Sequence, residues 1–247
     1  MMASEYIKYL TKDEKKAEAP PPLSPKERRK NWFYYHKWHL IIGGILIIIA
    51  LDLLRGALHI GEVMPDVQIA YVGTRVLPDD LLAAASSELS ALCPDANGDG
   101  RSVVQINSYP FPETVAGDDT ILTLRNSSQV RLMAGLEECS SFLLLVDDPA
   151  AFEEAYHILA QKNGEPPVTE ADSVKNPENY TFRWEESPAL SALTAEDGAM
   201  SQASGADPDI LSYLNQLAIG RRIQTEERSV RYPEACEAFW NAIAPTD

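Results

Sequence analysis

Hydrophobic and polar residues follow two different patterns along this chain. Residues 40–51 form an unbroken apolar run, whereas short apolar segments alternate with polar ones beyond residue 62. With its flanking residues the run extends over 38–58, which approaches the roughly 20 residues that a helix needs to cross a bilayer. We therefore predict a transmembrane helix at 38–58. A cleaved signal peptide and a buried helix of a soluble protein are the alternatives.

Aromatic residues precede the apolar run. We expect four of them to lie at the membrane–water interface, because their rings are apolar and their edges are polar. These residues are Trp32, Tyr34, Tyr35 and Trp38. A buried helix of a soluble protein has no use for such a collar, and residues 1–39 would be unusually long as the charged region of a signal peptide. We therefore favour an uncleaved anchor.

Charge is distributed unevenly around this helix. The first 38 residues contain nine Lys/Arg and five Asp/Glu and carry +4, whereas the whole chain carries −16, so the residues beyond the helix carry −20. The positive-inside rule predicts that residues 1–37, which include a proline-rich spacer at 19–25, form a cytoplasmic tail. Residues 62–247 are then extracellular, and the protein crosses the cell membrane once.

The acidic composition limits the partners of residues 62–247. A net charge of −20 beyond the helix argues against nucleic acid, because neutralising phosphates requires a basic face. Small solutes, cations and protein partners in the cell envelope are compatible with it. The three cysteines allow two interpretations, either one disulfide with a free thiol or three buried thiols. They are Cys93, Cys139 and Cys236.

Strand and helix patterns alternate in the first half of the acidic part. Runs of apolar residues predict strands, and apolar residues at helical spacing predict helices. The strands are expected at 66–73, 102–109 and 141–146, and the helices at 78–92, 126–139 and 149–161. The third strand is apolar on both faces and belongs at the centre of a sheet. This β-α-β-α-β-α order predicts an α/β domain of three layers with a largely parallel sheet.

The second of these helices gives a more specific prediction. We expect Asn126 or Ser127 to cap it, because both side chains can accept a hydrogen bond from the first turn. Its apolar residues Val130, Met133, Ala134 and Leu136 should face inward.

The last third of the chain is less regular. Residues 162–209 contain many small, polar and proline residues and read as an irregular insertion, with an edge strand at 180–184. Apolar periodicity returns afterwards and predicts a helix at 209–217, a strand at 218–223 and a closing helix at 233–243.

Residues 95–100 match the start of a calcium-binding loop of the EF-hand type. Such a loop has oxygen side chains at positions 1, 3 and 5 and glycine at position 6. The corresponding residues are Asp95, Asn97, Asp99 and Gly100. Position 12 is Ile106 instead of glutamate, so we favour a polar turn between helix and strand. A weak Ca²⁺ site is the alternative.

Two carboxylates follow the most apolar strand. Asp147 and Asp148 should lie at the carboxyl end of the sheet, where open α/β sheets bind ligands, and both are candidate ligand-binding residues. The alternative is that Asp148 caps the next helix, with Pro149 at its first position. The sequence has no G-x-S-x-G, P-loop or H-E-x-x-H motif, so we predict no catalytic residue and no required cofactor.

Two parts of the chain resemble known kinds of protein. The block 26–38 (KERRKNWFYYHKW) resembles the anchor of uncharacterised single-pass membrane proteins of clostridial-type Gram-positive bacteria. The stretch 65–161, from PDVQIAYVG to SFLLLVDD and beyond, resembles one lobe of an extracellular solute-binding protein. These resemblances imply a membrane-anchored binding or interaction module. A divalent-metal-dependent surface enzyme and a structural, cation-stabilised domain are the alternatives.

Overall fold

Two compact units make up the chain, residues 1–62 and residues 63–247. The computed structural model describes residues 24–57, 64–114, 117–169 and 171–245. The proline-rich spacer predicted at 19–25 therefore lies outside the described residues, except for its last two positions.

Helix α1 (Pro25–Ala57) forms the described part of the first unit. A capping box starts it: Ser24 Oγ accepts a hydrogen bond from Glu27 N (3.3 Å), and the Glu27 carboxylate accepts one from Ser24 N (2.9 Å). In the described ranges, α1 is the one helix long and apolar enough to cross a membrane. It starts well before the predicted boundary at residue 38, because the cap lies upstream and no glycine or proline interrupts residues 26–42.

Strands and helices alternate in the second unit. In chain order they are β1 (Val67–Gly73), α2 (Asp79–Ser90), β2 (Val104–Pro110), α3 (Asp119–Glu137), β3 (Leu143–Val146), α4 (Pro149–Tyr156), β4 (Leu159–Ala160), α5 (Asp172–Lys175), β5 (Thr181–Arg183), α6 (Pro188–Thr194), α7 (Pro208–Gln216), β6 (Ala218–Arg222) and α8 (Pro233–Ile243). Helices α4, α6, α7 and α8 have proline in the first turn, where its missing N–H leaves no hydrogen bond unmade.

The strands form one sheet in the order β2-β1-β3-β6-β4, and β5 also pairs with β6. β1 is parallel to β2 and β3, whereas β6 is antiparallel to β3, β4 and β5. Of the six strands in the described part of the chain, five therefore point the same way. The α/β class and the mostly parallel sheet are as predicted. The sequence did not indicate the reversed direction of β6, which follows α7 after the single residue Leu217.

Two hydrophobic clusters pack on the sheet, because alternate residues of a strand point to opposite faces. One cluster contains Ile69 and Tyr71 of β1 together with residues of α2, α6, α7 and α8. The other contains Ala70 of β1 together with residues of α3 and α4. All four residues of β3 are buried, and the sheet order confirms the central position predicted for this strand.

Helix α3 begins at Asp119, seven residues before the predicted start at 126. Asp118 caps it, because its Oδ1 accepts hydrogen bonds from the backbone N–H groups of Thr120 (3.0 Å) and Ile121 (3.2 Å). The prediction of Asn126 or Ser127 as N-cap was therefore wrong. Both residues lie inside the helix, since the polar first turn conceals its true beginning.

The buried face of α3 also differs from the prediction. Ser128, Leu132 and Leu136 are buried at a spacing of four residues. Of the residues predicted to face inward, Leu136 is buried, whereas Ala134 is exposed and Val130 and Met133 are 69% and 53% exposed. A serine occupies the first inward position, so the apolar pattern alone selects only part of the buried face.

Helix α4 ends at Tyr156 and not at 161, because His157 adopts a left-handed backbone with φ of 50°. Leu159 N then donates a hydrogen bond to the buried Glu153 carboxylate (3.0 Å). Ser173 Oγ donates to the other oxygen of that carboxylate (3.0 Å), which ties α5 to the end of α4. Burial raises the pKa of Glu153, and these hydrogen bonds oppose the rise.

The predicted irregular insertion at 162–209 contains short elements. Helices α5 and α6 and strand β5 lie within it. The edge strand expected at 180–184 is observed as β5, which pairs with β6. The adjoining Tyr180 is fully buried, and its hydroxyl donates a hydrogen bond to Asp172. This contact ties the start of β5 to the first residue of α5.

All three cysteines are free and buried, as in the second interpretation above. Cys93 and Cys236 belong to the cluster that includes α2 and α8. Burial raises the pKa of each of these two thiols to about 12.

We expect the second unit to lose stability at alkaline pH because of Cys93 and Cys236. Below the ordinary thiol pKa of about 8.5, the thiols are protonated in both the folded and the unfolded chain, and the full stability is present. Above it only the folded chain keeps these protons, so stability is lost as the pH rises towards the folded pKa of about 12. The free energy of unfolding should fall by roughly 2 kcal/mol for each of the two thiols between pH 7 and 10.

Urea titration of the full chain in detergent measures this change. The Cys93→Ala/Cys236→Ala variant, which keeps only Cys139, should lose much less stability over the same pH interval. An equal loss in the variant and the parent would contradict the role of these two thiols.

Candidate functional site

The connections to the neighbours of β1 run to opposite sides of this strand, so the strand order reverses between β1 and β3. β1 leads through α2 to β2 on one side, and β2 leads through α3 to β3 on the other side of β1. In open α/β sheets the crevice at the carboxyl ends of two such strands binds ligands. Thr74 follows β1 and Asp147 follows β3 at this point, so the fold brings Asp147 to the predicted edge.

Asp147 is held in one orientation by two residues. Its Oδ2 accepts hydrogen bonds from Thr74 N (2.7 Å), Thr74 Oγ1 (2.8 Å) and Tyr213 OH (3.0 Å). Its other oxygen, Oδ1, accepts no hydrogen bond from any residue that the structure describes. The half-buried carboxylate therefore offers one fixed, unused acceptor.

Two tyrosines support this carboxylate. Tyr71 OH lies 3.0 Å from Tyr213 OH and donates a hydrogen bond to Arg75 O (2.7 Å). Burial raises the pKa of both hydroxyls, so both stay protonated and Tyr213 can donate to Asp147. Gly73 permits the close packing, because a Cβ there would lie 2.3 Å from Tyr213 OH and 2.6 Å from Tyr71 OH.

A cavity of about 360 Å³ opens beside Asp147, on the side of α3 and α4. We call it the β1–β3 cavity. The aromatic side chains of Phe111, Phe152 and Tyr156 line it, and Gln129 Nε2 donates a hydrogen bond to Tyr156 OH (3.2 Å). The cavity thus combines aromatic walls with a few polar groups, which is the usual composition of a small-molecule site.

A second cavity of about 340 Å³ lies on the other side of Asp147. We call it the β5–β6 cavity. Charged side chains of both signs line it, including Lys162, Arg183 and Glu186. Asp147 lines both cavities.

Asp148 has a structural role. Its Oδ1 accepts a hydrogen bond from Ala151 N (3.0 Å), and Pro149 lies in the first turn of α4. The capping alternative is therefore confirmed. Asp148 also lines the β1–β3 cavity, and ligand binding by Asp147 and Asp148 stays a prediction.

The loop that resembles a calcium site directs its oxygens to its own backbone. Asp95 accepts hydrogen bonds from Gly98 N (2.7 Å) and Gly100 N (2.8 Å), and Asn97 accepts one from Asp99 N (2.8 Å). These are the contacts of a polar turn. Within the described ranges, no group of three or more His, Cys, Asp or Glu residues could hold a metal ion. A Ca²⁺ site at Asp95, Asn97 and Asp99 stays a prediction.

Sequence reasoning missed most of the residues around Asp147. Thr74 is 73 positions from Asp147 in the chain, and Tyr71 is 142 positions from Tyr213. Strand pairing and the packing of α7 bring them together, and neither leaves a local motif. The one local signal is Gly73, since a glycine at a strand end often marks a close approach of another group.

No family model, curated protein or solved structure matches this chain. The resemblances of residues 26–38 and 65–161 therefore stay predictions. Function then depends on the chemistry of the site itself.

We expect Gly73→Ala to disrupt the Asp147 site. The added Cβ would overlap both tyrosine hydroxyls, and such overpacking lowers the free energy of unfolding by about 2 kcal/mol. Urea titration of the full chain, followed by the fluorescence of buried Trp184 and Trp240, measures the loss. Gly44→Ala is the matched control, because a Cβ there meets nothing within 4 Å.

A double-mutant cycle identifies the overlap. Removing the hydroxyl in Tyr213→Phe relieves its contact with the new Cβ, so the double variant should lose less stability than the two single variants together. Strict additivity would mean that Gly73 acts through something other than this contact.

Proposed function

We propose that the chain is a single-pass membrane protein whose C-terminal domain faces outward and binds a small solute in the β1–β3 cavity. The observation that carries the proposal is Asp147, oriented by three hydrogen bonds at the point where the sheet connections reverse, with Oδ1 unused. The two hydrophobic clusters on the sheet support the three-layer α/β arrangement that we propose for this domain.

The proposed anchor is α1. It contains an apolar segment long enough for a bilayer and none of that segment is buried in the structure, as expected for a surface that lipid covers. The four aromatic residues predicted for the interface are all exposed. The excess of basic residues before the apolar run supports a cytoplasmic N-terminus.

The proposed binding role depends on pre-organisation. A carboxylate that is already fixed loses little freedom when a ligand donates a hydrogen bond to it, so more of the contact energy is available for affinity. Asp147 meets this condition, and Phe111, Phe152 and Tyr156 provide the apolar surface that a solute would cover. A ligand with an N–H or ammonium group fits the acceptor.

A metal-dependent enzyme would need Asp147 to meet a second acid or His157. The groups that contact Asp147 are a threonine and a tyrosine, and His157 is the left-handed residue that ends α4. Thr74 and Tyr213 orient Asp147, and His157 ends a helix. These roles are structural, so binding is the function that the contacts favour.

Membrane anchoring predicts two outcomes in cells. The intact chain should sediment with membranes and resist extraction with alkaline carbonate, because a spanning helix is held by its apolar surface. External protease should degrade the C-terminal domain of wall-free cells, detected by an antibody against residues 64–245. Recovery of the intact chain in the soluble fraction would contradict the anchor. A C-terminal domain that external protease leaves intact would contradict the orientation.

Solute binding predicts that filling the β1–β3 cavity abolishes ligand-induced stabilisation. Amino acids and small amines are the probes, and a rise in the melting temperature of the full chain in detergent is the readout. Ala151→Trp places a large side chain on the cavity wall and should remove the rise. Glu154→Trp is the matched control, because Glu154 is exposed on the same helix outside the cavity lining.

A rise that survives Ala151→Trp would place the binding site elsewhere. A melting temperature that no probe changes would contradict the binding of these solutes.

A further inference from the structure

Helix α1 is longer than a membrane requires. Its 33 residues span about 50 Å at 1.5 Å per residue, whereas the hydrocarbon core is about 30 Å thick. If residues 38–57 occupy the core, residues 25–37 continue as helix on the N-terminal side. We call residues 25–37 the basic segment.

The basic segment carries five cations that form no ion pair in the described part of the chain. All five are exposed. They are Lys26, Arg28, Arg29, Lys30 and Lys37. The single acid of the segment, Glu27, is engaged in the capping box, where the hydrogen bonds from Ser24 lower its pKa. Glu27 therefore stays ionised, and with five cations and one acid the basic segment carries a net charge of +4.

Aromatic residues accompany these cations along the helix. Lys30, Phe33, Tyr34 and Lys37 line one shallow groove on the helix surface together with Glu27 and Asn31. The Lys37 ammonium lies 4.9 Å from the centre of the Tyr34 ring. Rings of this kind settle at the level of lipid headgroups, and a lysine beside them can reach the phosphates. The groove thus combines aromatic side chains with charged groups, among them two lysines.

We propose that the basic segment binds acidic phospholipid headgroups of the leaflet that α1 enters. The inference rests on the proposed anchor and adds the class of lipid that surrounds it. Opposite charge is the recognition principle, because basic residues next to a spanning helix attract anionic lipids. The acidic domain of a second copy is the other possible occupant. In the proposed topology that domain would lie on the opposite side of the membrane. The headgroups, in contrast, would adjoin the basic segment, because it continues α1 directly out of the hydrocarbon core.

Quenching of tryptophan fluorescence by brominated lipids tests this proposal. The full chain is reconstituted into vesicles of phosphatidylcholine that contain the same small fraction of either brominated phosphatidylglycerol or brominated phosphatidylcholine. Trp32 and Trp38 should be quenched, whereas Trp184 and Trp240 are buried in the second unit and give a constant background. We expect brominated phosphatidylglycerol to quench at least about twofold more strongly.

Two variants separate local charge from total charge. Lys26→Gln/Lys30→Gln removes two cations of the basic segment and should bring the quenching ratio of the two lipids towards one. Arg101→Gln/Lys175→Gln removes two exposed cations of the second unit and should leave the ratio unchanged. Salt near 1 M should also lower the ratio, because it reduces the screening length to about 3 Å.

Each other outcome has a distinct meaning. Equal quenching by both brominated lipids would overturn the lipid inference while supporting the anchor. Absence of quenching by either lipid would show that the anchor itself has failed. Equal quenching together with salt-sensitive self-association would assign the basic segment to the acidic domain of a second copy and overturn the proposal in favour of that partner.

Discussion

Burial of strand β3 on both faces is the constraint on which the second unit depends. Its four residues, Leu143 to Val146, are at most 3% exposed, as is typical of a strand at the centre of a sheet. β3 also has a neighbour on each edge, parallel β1 and antiparallel β6. Asp147 directly follows β3, so the position of its backbone is fixed by this strand. The candidate site is thus a consequence of the most hydrophobic strand in the sheet.

The parts of the fold that could be predicted are those in which local pattern and tertiary burial agree. β1, β3 and α8 are examples, since each buries the residues that its periodicity selects. The prediction failed where they disagree. In α3 the inward row starts with Ser128, and exposed Val130 and Met133 imitate a core face. The direction of β6 had no local signal, because strand direction is decided by the neighbours.

The candidate site was predictable only to the level of one residue. Asp147 could be placed at the carboxyl edge because the strand before it is plainly central. Its partners Thr74 and Tyr213 come from distant parts of the chain, and only the three-dimensional packing joins them. Asp148 could be assigned to either capping or binding from the sequence, and the hydrogen bond to Ala151 N shows the capping role.

Strand β6 is synthesised well after β3, which has a consequence for the nascent chain. β3 is complete at residue 146, but the strand that covers its open edge begins at residue 218, about 70 residues later. At a synthesis rate of 5–20 residues per second, this edge stays uncovered for roughly 4–14 seconds. An apolar, unpaired strand edge is a template for association with other polypeptides. A chain that ends before residue 218 would therefore keep this apolar edge of β3 open to association.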